Sequence, residues 1–499
     1  MAFQDPWRSL TYTDLETATC QFAGALHRAG IGREQRVVLL LQDTIDFPIA
    51  FCGTMRAGAV PVPINTLLTA ETVGYILADC RAAAAVMSVG LTETLGAVVR
   101  AAAARLVAIS QPDGTPPALT CAEWTGFPAF LATGAPDTAT VPASPDEVAF
   151  WLYSSGSTGA PKGVRHVHSS LRFTAETYGA RVLGIGPDDV MFSAAKAFHA
   201  YGLGNSLTFP MSVGASSVFL PDRPTPDAVL ETMRTYNPTL FGGVPTLYAG
   251  LLANPYIVPG AGSSRLRRCI SAGEALPADI GSRWKSVVGV DILDGIGSTE
   301  MLHIFISNRP TDIRYGSSGK PVPGYDARVV DEHDRPVPSG EAGELVVRGD
   351  SAADGYWNQR AKTRRTFQGA WTYTGDTYIR DDDGYFRFQG RSDEMLKVGG
   401  VWVSPFEVEE ALISHPSVLE AAVIGREDRD GLTKPKAFVI LRGDDGGATA
   451  GDAVALAVEL QTHVKDKIGV WKYPRWIEFV TTLPKTATGK IQRFRLREV

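Results

Sequence analysis

The chain of 499 residues has no hydrophobic run approaching the ~20 residues that a membrane span requires. Cysteine is scarce: Cys20, Cys52, Cys80, Cys121 and Cys269 lie far apart, with no C-x-x-C pair and no histidine at ligand spacing. That excludes a disulfide framework and a structural zinc site, and predicts reduced thiols in a cytoplasmic protein. Basic residues are in no excess, since 48 Lys and Arg against 54 Asp and Glu leave a formal charge of -6. Nonspecific binding to a phosphate backbone needs the opposite balance, so neither nucleic acid nor membrane is expected as a partner. The start, MAFQDPWRS, lacks the basic-then-apolar pattern of a secretion signal.

What is present exceeds one compact core, so at least two domains are expected. Between residues 36 and 89, β-rich runs such as RVVLLL, AVPVPI and AAAVMSV alternate with the helical patterns FPIAFCGTMRAG and AETVGYILADC. This alternation predicts a largely parallel sheet with helices on its faces, and it returns at SVFL, DAVLETMRTY and TLFGG between residues 217 and 243. From about residue 315 the runs shorten and turns crowd together, which predicts a β-rich subdomain over 315–392 with hairpins at Ser-Gly and Asp-Gly. Ser404-Pro405-Phe406-Glu407 then reads as a capping box opening a helix, followed by two strands, a second helix and a strand. The expected fold class is α/β: a large N-terminal domain of parallel-type sheets over 1–392, and a small, mobile α+β domain over 393–499.

Residues 154–163, SSGSTGAPKG, hold nothing large or apolar and directly follow the strand-like run VAFWLY. Glycines after a strand let several backbone N–H groups converge on an anion. Ser154, Ser155, Ser157 and Thr158 add hydroxyls around Gly156 and Gly159, and Lys162 adds a positive charge. The functional reading is a polyphosphate loop; the plain one is a solvated turn. It is no P-loop, because Gly163 follows the lysine where that signature needs a hydroxyl.

Three further segments point toward a nucleotide. DGIGSTE (294–300) is a tight turn ending in Thr299 and Glu300, the latter an oxygen ligand for Mg2+ or else a helix cap. TYTGD (372–376) offers Asp376 to ribose hydroxyls, unless it is an ordinary turn. PKTATGK (484–490) ends in Lys490, which either reaches a developing negative charge or is solvated.

In this order the segments resemble the adenylate-forming superfamily: acyl- and aryl-CoA synthetases, luciferases and peptide-synthetase adenylation domains. SSGSTGAPKGV matches its phosphate loop, GIGSTE its magnesium and nucleotide turn, and YTGD its ribose motif. GRSDEMLKVGG matches its hinge, and LPKTATGKIQR its C-terminal catalytic lysine. WLYSSGSTGAPKGV, SAAKAFHAYGLGNSLTFP, DGIGSTEMLHIF and GLTKPKAFV resemble the benzoate-CoA ligase branch in particular.

The resemblance implies ATP, Mg2+ and coenzyme A as cofactors, with a small aromatic carboxylic acid as the second substrate. It implies that Lys490 stabilises charge at the α-phosphate, that the 154–163 segment with Lys162 holds the β- and γ-phosphates, and that Thr299 and Glu300 hold the α-phosphate and Mg2+. Gly273, Asp294, Ile296, Gly297, Asp376 and Arg391 would contact the nucleotide. Asp393 would be the hinge about which the small domain turns before the thiol step, with Gly399 and Gly400 lining the route of the pantetheine. The acyl pocket would be built from His199, Ala200, Tyr201, Gly202, His303 and Ile304, with the small Ala200 and Gly202 leaving room for a ring. His199 stands where this branch carries an aromatic residue; it either walls the pocket or hydrogen-bonds a polar ring substituent, as on anthranilate or hydroxybenzoate. Ile296 replaces a tyrosine that many relatives place against adenine, and the chain begins nearer its first motif than is usual. His166 and His168 are assigned no chemistry. The competing expectation is a stand-alone aryl-adenylating enzyme that loads a carrier protein; a homodimer is admitted.

Overall fold

A computed structural model describes residues 1–102, 106–119, 121–156, 159–260, 262–391, 394–398, 401–429, 431–442, 450–485 and 491–497. The alternation between residues 36 and 89 folds as part of an all-parallel, five-stranded sheet. Its order is Val60–Pro63, Arg36–Leu40, Ala84–Ser88, Leu106–Ser110, Thr125–Gly126. Val37 and Leu39 enter one core cluster while Val38 and Leu40 enter another, so both faces of the strand Arg36–Leu40 are covered. The prolines of Val60–Pro63 sit at the edge of that sheet, where an absent N–H breaks no central ladder.

The second sheet has nine strands, in the order Lys320–Pro321, Ile304–Ser307, Ile292–Gly297, Arg268–Ser271, Leu240–Gly243, Val190–Ser193, Ser216–Val218, Phe3–Gln4, Ser9–Leu10. It is parallel from Ile292–Gly297 to Phe3–Gln4 and antiparallel at both ends. The helix Pro226–Tyr236 crosses between its strands, and Thr225 caps it by accepting from Ala228 N. The β-rich stretch forms an antiparallel sheet of Asp326–Val330, Ala342–Arg348, Trp371–Arg380, Phe367–Gln368 and Phe386–Arg391. The Asp-Gly turn closes its last hairpin with Gly384 at φ +83°.

Toward the C-terminus, Val418–Glu427, Thr433–Leu441 and Trp476–Phe479 make a separate three-stranded sheet covered by the helices Pro405–Ile413 and Ala450–Ile468. The chain is therefore α/β, with large parallel and mixed sheets followed by a smaller α+β unit. One local expectation needs correction. Ser404 Oγ does accept from Glu407 N at 3.1 Å, but the Glu407 carboxylate is taken by Lys472 Nζ at 2.6 Å, so the cap is one-sided. A charge-assisted pair across the unit outcompetes the return bond.

Candidate active site

The serine- and glycine-rich segment is a β-hairpin rather than the expected ten-residue loop. The strand Val148–Gly156 runs into it and Gly159–Val167 returns antiparallel, pairing Ser154 with Lys162 and Gly156 with Gly159. The apolar run explains why. Phe150 and Leu152 enter one core while Trp151 and Tyr153 face another, the period-two pattern of a strand buried on both faces. Ser157 and Thr158 lie outside the described residues, and of Ser155, Gly156 and Gly159 only the backbone is described. Ser154 Oγ is buried and has no hydrogen-bond partner among the described residues.

Three side chains from distant parts of the chain meet at the returning strand. Lys162 Nζ lies 3.5 Å from Glu300 Oε1. The Tyr356 hydroxyl donates to the same carboxylate oxygen at 2.8 Å and accepts from Lys162 at 3.4 Å. The ammonium also stands over the Tyr356 ring, 4.4 Å from its centroid. Burial, and then the neighbouring Glu300 charge, push the Tyr356 phenol well above its ordinary range, so it stays a neutral donor. Tyr356 arrives on the strand Gly355–Tyr356, which pairs with Val164 and Arg165 of the hairpin. Nothing in its local sequence marks it.

Thr299, next to Glu300, is held from behind. His166 is buried, stacked on Phe150 at 5.1 Å, and its Nε2 donates to Thr299 O at 2.8 Å. Burial lowers its pKa to about 4, which keeps the imidazole neutral. The sequence reading assigned this histidine nothing; its position behind the phosphate motif was the available signal.

Of the nucleotide candidates, Gly273, Asp294, Ile296 and Gly297 lie on or just after strands of the nine-stranded sheet, and Asp376 and Arg391 on the antiparallel β-rich sheet. Gly273 follows the strand Arg268–Ser271 at φ +98°, a conformation that glycine adopts without strain. Asp294 is buried, its Oδ2 accepting from Leu276 N at 3.4 Å, so it braces the turn that carries Gly273. Burial raises its pKa to about 8. Ile296 packs on a further core cluster that includes Ile270, Leu293 and Ile306. At Gly297 a Cβ would fall 2.5 Å from His303 O, so only glycine lets these two strands close. Asp376 pairs across the β-rich hairpin with Arg391, whose Nη1 is 3.0 Å from Asp376 Oδ1 and 3.1 Å from Thr374 O.

The expected acyl-pocket residues are brought together, though not all in the expected sense. His199 precedes the short helix Ala200–Leu203 and meets Phe198 edge-on at 4.6 Å. Tyr201 spends its hydroxyl on Gly243 O at 3.1 Å and Ile270 O at 3.0 Å, while its own carbonyl accepts from His303 Nε2 at 3.2 Å. Burial holds His303 down to about 3, hence neutral. Ile304 is buried in the same core cluster as Ile270 and Leu293. Gly202 requires correction: a Cβ there would fall 2.0 Å from Lys196 O, so its smallness admits backbone, not a substrate ring. Asp393, Gly399, Gly400 and Lys490 lie outside the described residues.

A single carboxylate flanked by a lysine, a phenol and a turn of small residues suits Mg2+ shared with phosphate oxygens. Among the described residues no group of three or more His, Cys, Asp and Glu could hold a metal by itself. An ion at Glu300 would therefore take most of its ligands from phosphate and water.

Residues 1–357 match the family model of the AMP-binding enzymes, and residues 407–490 that of the AMP-binding enzyme C-terminal domain. A benzoate–CoA ligase of Thauera aromatica is 52% identical, the match covering 98% of this chain and 90% of the relative. Among solved structures, a benzoate CoA ligase from Burkholderia xenovorans LB400 is 46% identical with a TM-score of 0.91, over 99% of this chain and 96% of its own. An anthranilate CoA ligase in complex with anthranoyl-AMP is 42% identical with a TM-score of 0.94, over 100% of this chain and 93% of its own. With matches of this length across both parts, the chain belongs to the AMP-binding enzyme family, on its benzoate–CoA ligase branch.

Proposed function

We propose that the protein is an ATP-dependent aryl-CoA ligase that activates benzoate, or a small substituted benzoate such as anthranilate or hydroxybenzoate, as the aryl-AMP and passes it to CoA. The observation that carries this reading is the meeting of Lys162, Glu300 and Tyr356 on the hairpin that presents Ser154.

A carboxylate resists nucleophiles because it is already negative and would have to expel oxide. In the first step one carboxylate oxygen attacks the α-phosphorus of ATP, the bond to the β-phosphate oxygen breaks, and diphosphate leaves. Ser154, the hairpin backbone and Lys162 hold the β- and γ-phosphates, and Lys490 offsets the charge that gathers on the α-phosphate oxygens. Glu300 holds Mg2+, which when bound neutralises phosphate charge. Thr299 meets the α-phosphate, with His166 fixing its carbonyl. Gly273, Ile296 and Gly297 border the base, and Asp376, oriented by Arg391, takes the ribose. The protein supplies position and field, with little proton transfer.

In the second step the CoA sulfur attacks the aryl carbonyl carbon, the bond to the AMP oxygen breaks, and the thiol proton passes to solvent. This step needs a thiol route along Gly399 and Gly400, opened by rotation of the C-terminal domain about Asp393. The five cysteines are all unpaired, which supports action in the cytoplasm. Mass analysis of products from benzoate, ATP, Mg2+ and CoA tests the assignment. Equal yields of aroyl-CoA, AMP and diphosphate are expected; transfer confined to a carrier-protein pantetheine would overturn it in favour of a loading enzyme.

A further inference from the structure

We propose that Glu274 is a positioning residue for adenylation: from the turn after Gly273 it holds the backbone N–H of Ile491 and so sets the reach of the neighbouring Lys490. The proposal rests on the role given to Lys490 above. Glu274 Oε1 accepts from Ile491 N at 3.0 Å, joining segments 217 residues apart in sequence. A carboxylate on a backbone amide is a charge-assisted bond, stronger than an ordinary neutral one.

On its own side the tail is fastened firmly. Ile491 bridges to Lys485, Gln492 N donates to Pro484 O at 2.8 Å, and Lys485 Nζ lies 2.7 Å from Glu420. Arg493 Nη2 meets both oxygens of buried Glu409, at 2.9 and 2.8 Å, and Nη1 lies 3.4 Å from Glu394. Glu409 Oε1 also accepts from Val423 N at 2.7 Å. Separating such a buried pair would strand a charge, so the tail travels as one piece with the helix Pro405–Ile413 and the strand Val418–Glu427.

Contacts to the 274–278 turn are of another kind. They are the hydrogen bonds Glu274 to Ile491 N and Ala278 N to Glu410 Oε1 at 3.5 Å, with the Glu274 charge also attracting Arg493. Bonds of this kind are made and broken at modest cost. The turn that borders the nucleotide through Gly273 thus also docks the segment beside Lys490.

The test splits the two half-reactions in Glu274→Ala and Glu274→Gln, with the unmodified enzyme alongside. Acid-dependent diphosphate exchange should fall about ten- to hundredfold in Glu274→Ala. The affinity for ATP in the absence of acid should stay within about threefold, and thioester formation from supplied benzoyl-AMP and CoA within about twofold. Glu274→Gln, which keeps an acceptor oxygen, should recover most of the exchange rate. Ile491→Pro, which removes the donor, should lower exchange alone and add little to Glu274→Ala. Unchanged exchange in Glu274→Ala, equal loss of both halves, or loss of ATP affinity in step with the rate would each overturn the proposal. Absence of exchange in the unmodified enzyme would instead overturn the ligase reading on which it rests.

Discussion

Lys162 and Glu300 come from strand and turn segments far apart in the chain, and their charges stand 3.5 Å apart with the Tyr356 hydroxyl touching both. In the proposed mechanism one phenol thus orients both the cation for the outer phosphates and the anion for the metal, which would spare the site that reorganisation during the reaction.

Tyr356→Phe removes this shared hydroxyl and keeps the ring under the ammonium. A hydrogen bond to a charged group is worth about 1.5–3 kcal/mol, so exchange of diphosphate into ATP should slow about ten- to hundredfold. Circular dichroism should match the parent. An unchanged exchange rate would show that Lys162 and Glu300 need no such brace.

The sequence made much of this legible. Period-two and helical patterns placed the parallel strands from Arg36–Leu40 to Ala84–Ser88, and the motifs singled out Lys162 and Glu300, which the fold brings within 3.5 Å of each other. Tyr356 was not legible, because its role depends on an antiparallel pairing with Val164, nearly two hundred residues earlier. The hairpin was mistaken for a loop because serine and glycine suggest turns locally, whereas pairing on both edges of Gly159–Val167 carries the strands further. Gly202 was misread because the crowding carbonyl of Lys196 is a fact of packing, not of composition.

His199→Phe tests the acyl end. The substitution keeps an aromatic wall beside Phe198 and removes the ring nitrogens. The ratio of kcat/KM for anthranilate to that for benzoate should fall by about tenfold, the scale of one lost hydrogen bond. An unchanged ranking across benzoate and its amino and hydroxy derivatives would leave His199 as a wall alone.

His166 gives the fold an acid-side sensitivity. Its pKa is about 4 in the folded protein against 6.5 ordinarily, so the unfolded chain binds the extra proton first. Its contribution is complete above pH 6.5 and is lost as the pH falls toward 4. Asp294, raised to about 8, acts in the opposite sense and destabilises as the pH rises from 3.8. His166→Gln should therefore flatten the fall of the unfolding midpoint between pH 6.5 and 4, measured by thermal denaturation beside the parent. Parallel profiles for the two proteins would exclude His166 as its source.

Gly202→Ala probes the corrected role of that glycine. A methyl group 2.0 Å from Lys196 O forces the backbone apart, at a cost of about 1–3 kcal/mol. Thermal unfolding should shift downward, and the order of substrate preference should survive in whatever enzyme remains folded. A stable variant with altered ring preference would return Gly202 to the pocket wall.

The most direct test of the whole account follows labelled diphosphate into ATP in the presence of Mg2+, a panel of aromatic acids and no CoA. Exchange should depend on the acid, disappear in Lys490→Ala, and leave that variant able to make thioester from supplied benzoyl-AMP. Exchange absent with every acid, or a Lys490→Ala enzyme equally impaired in both halves, would contradict it.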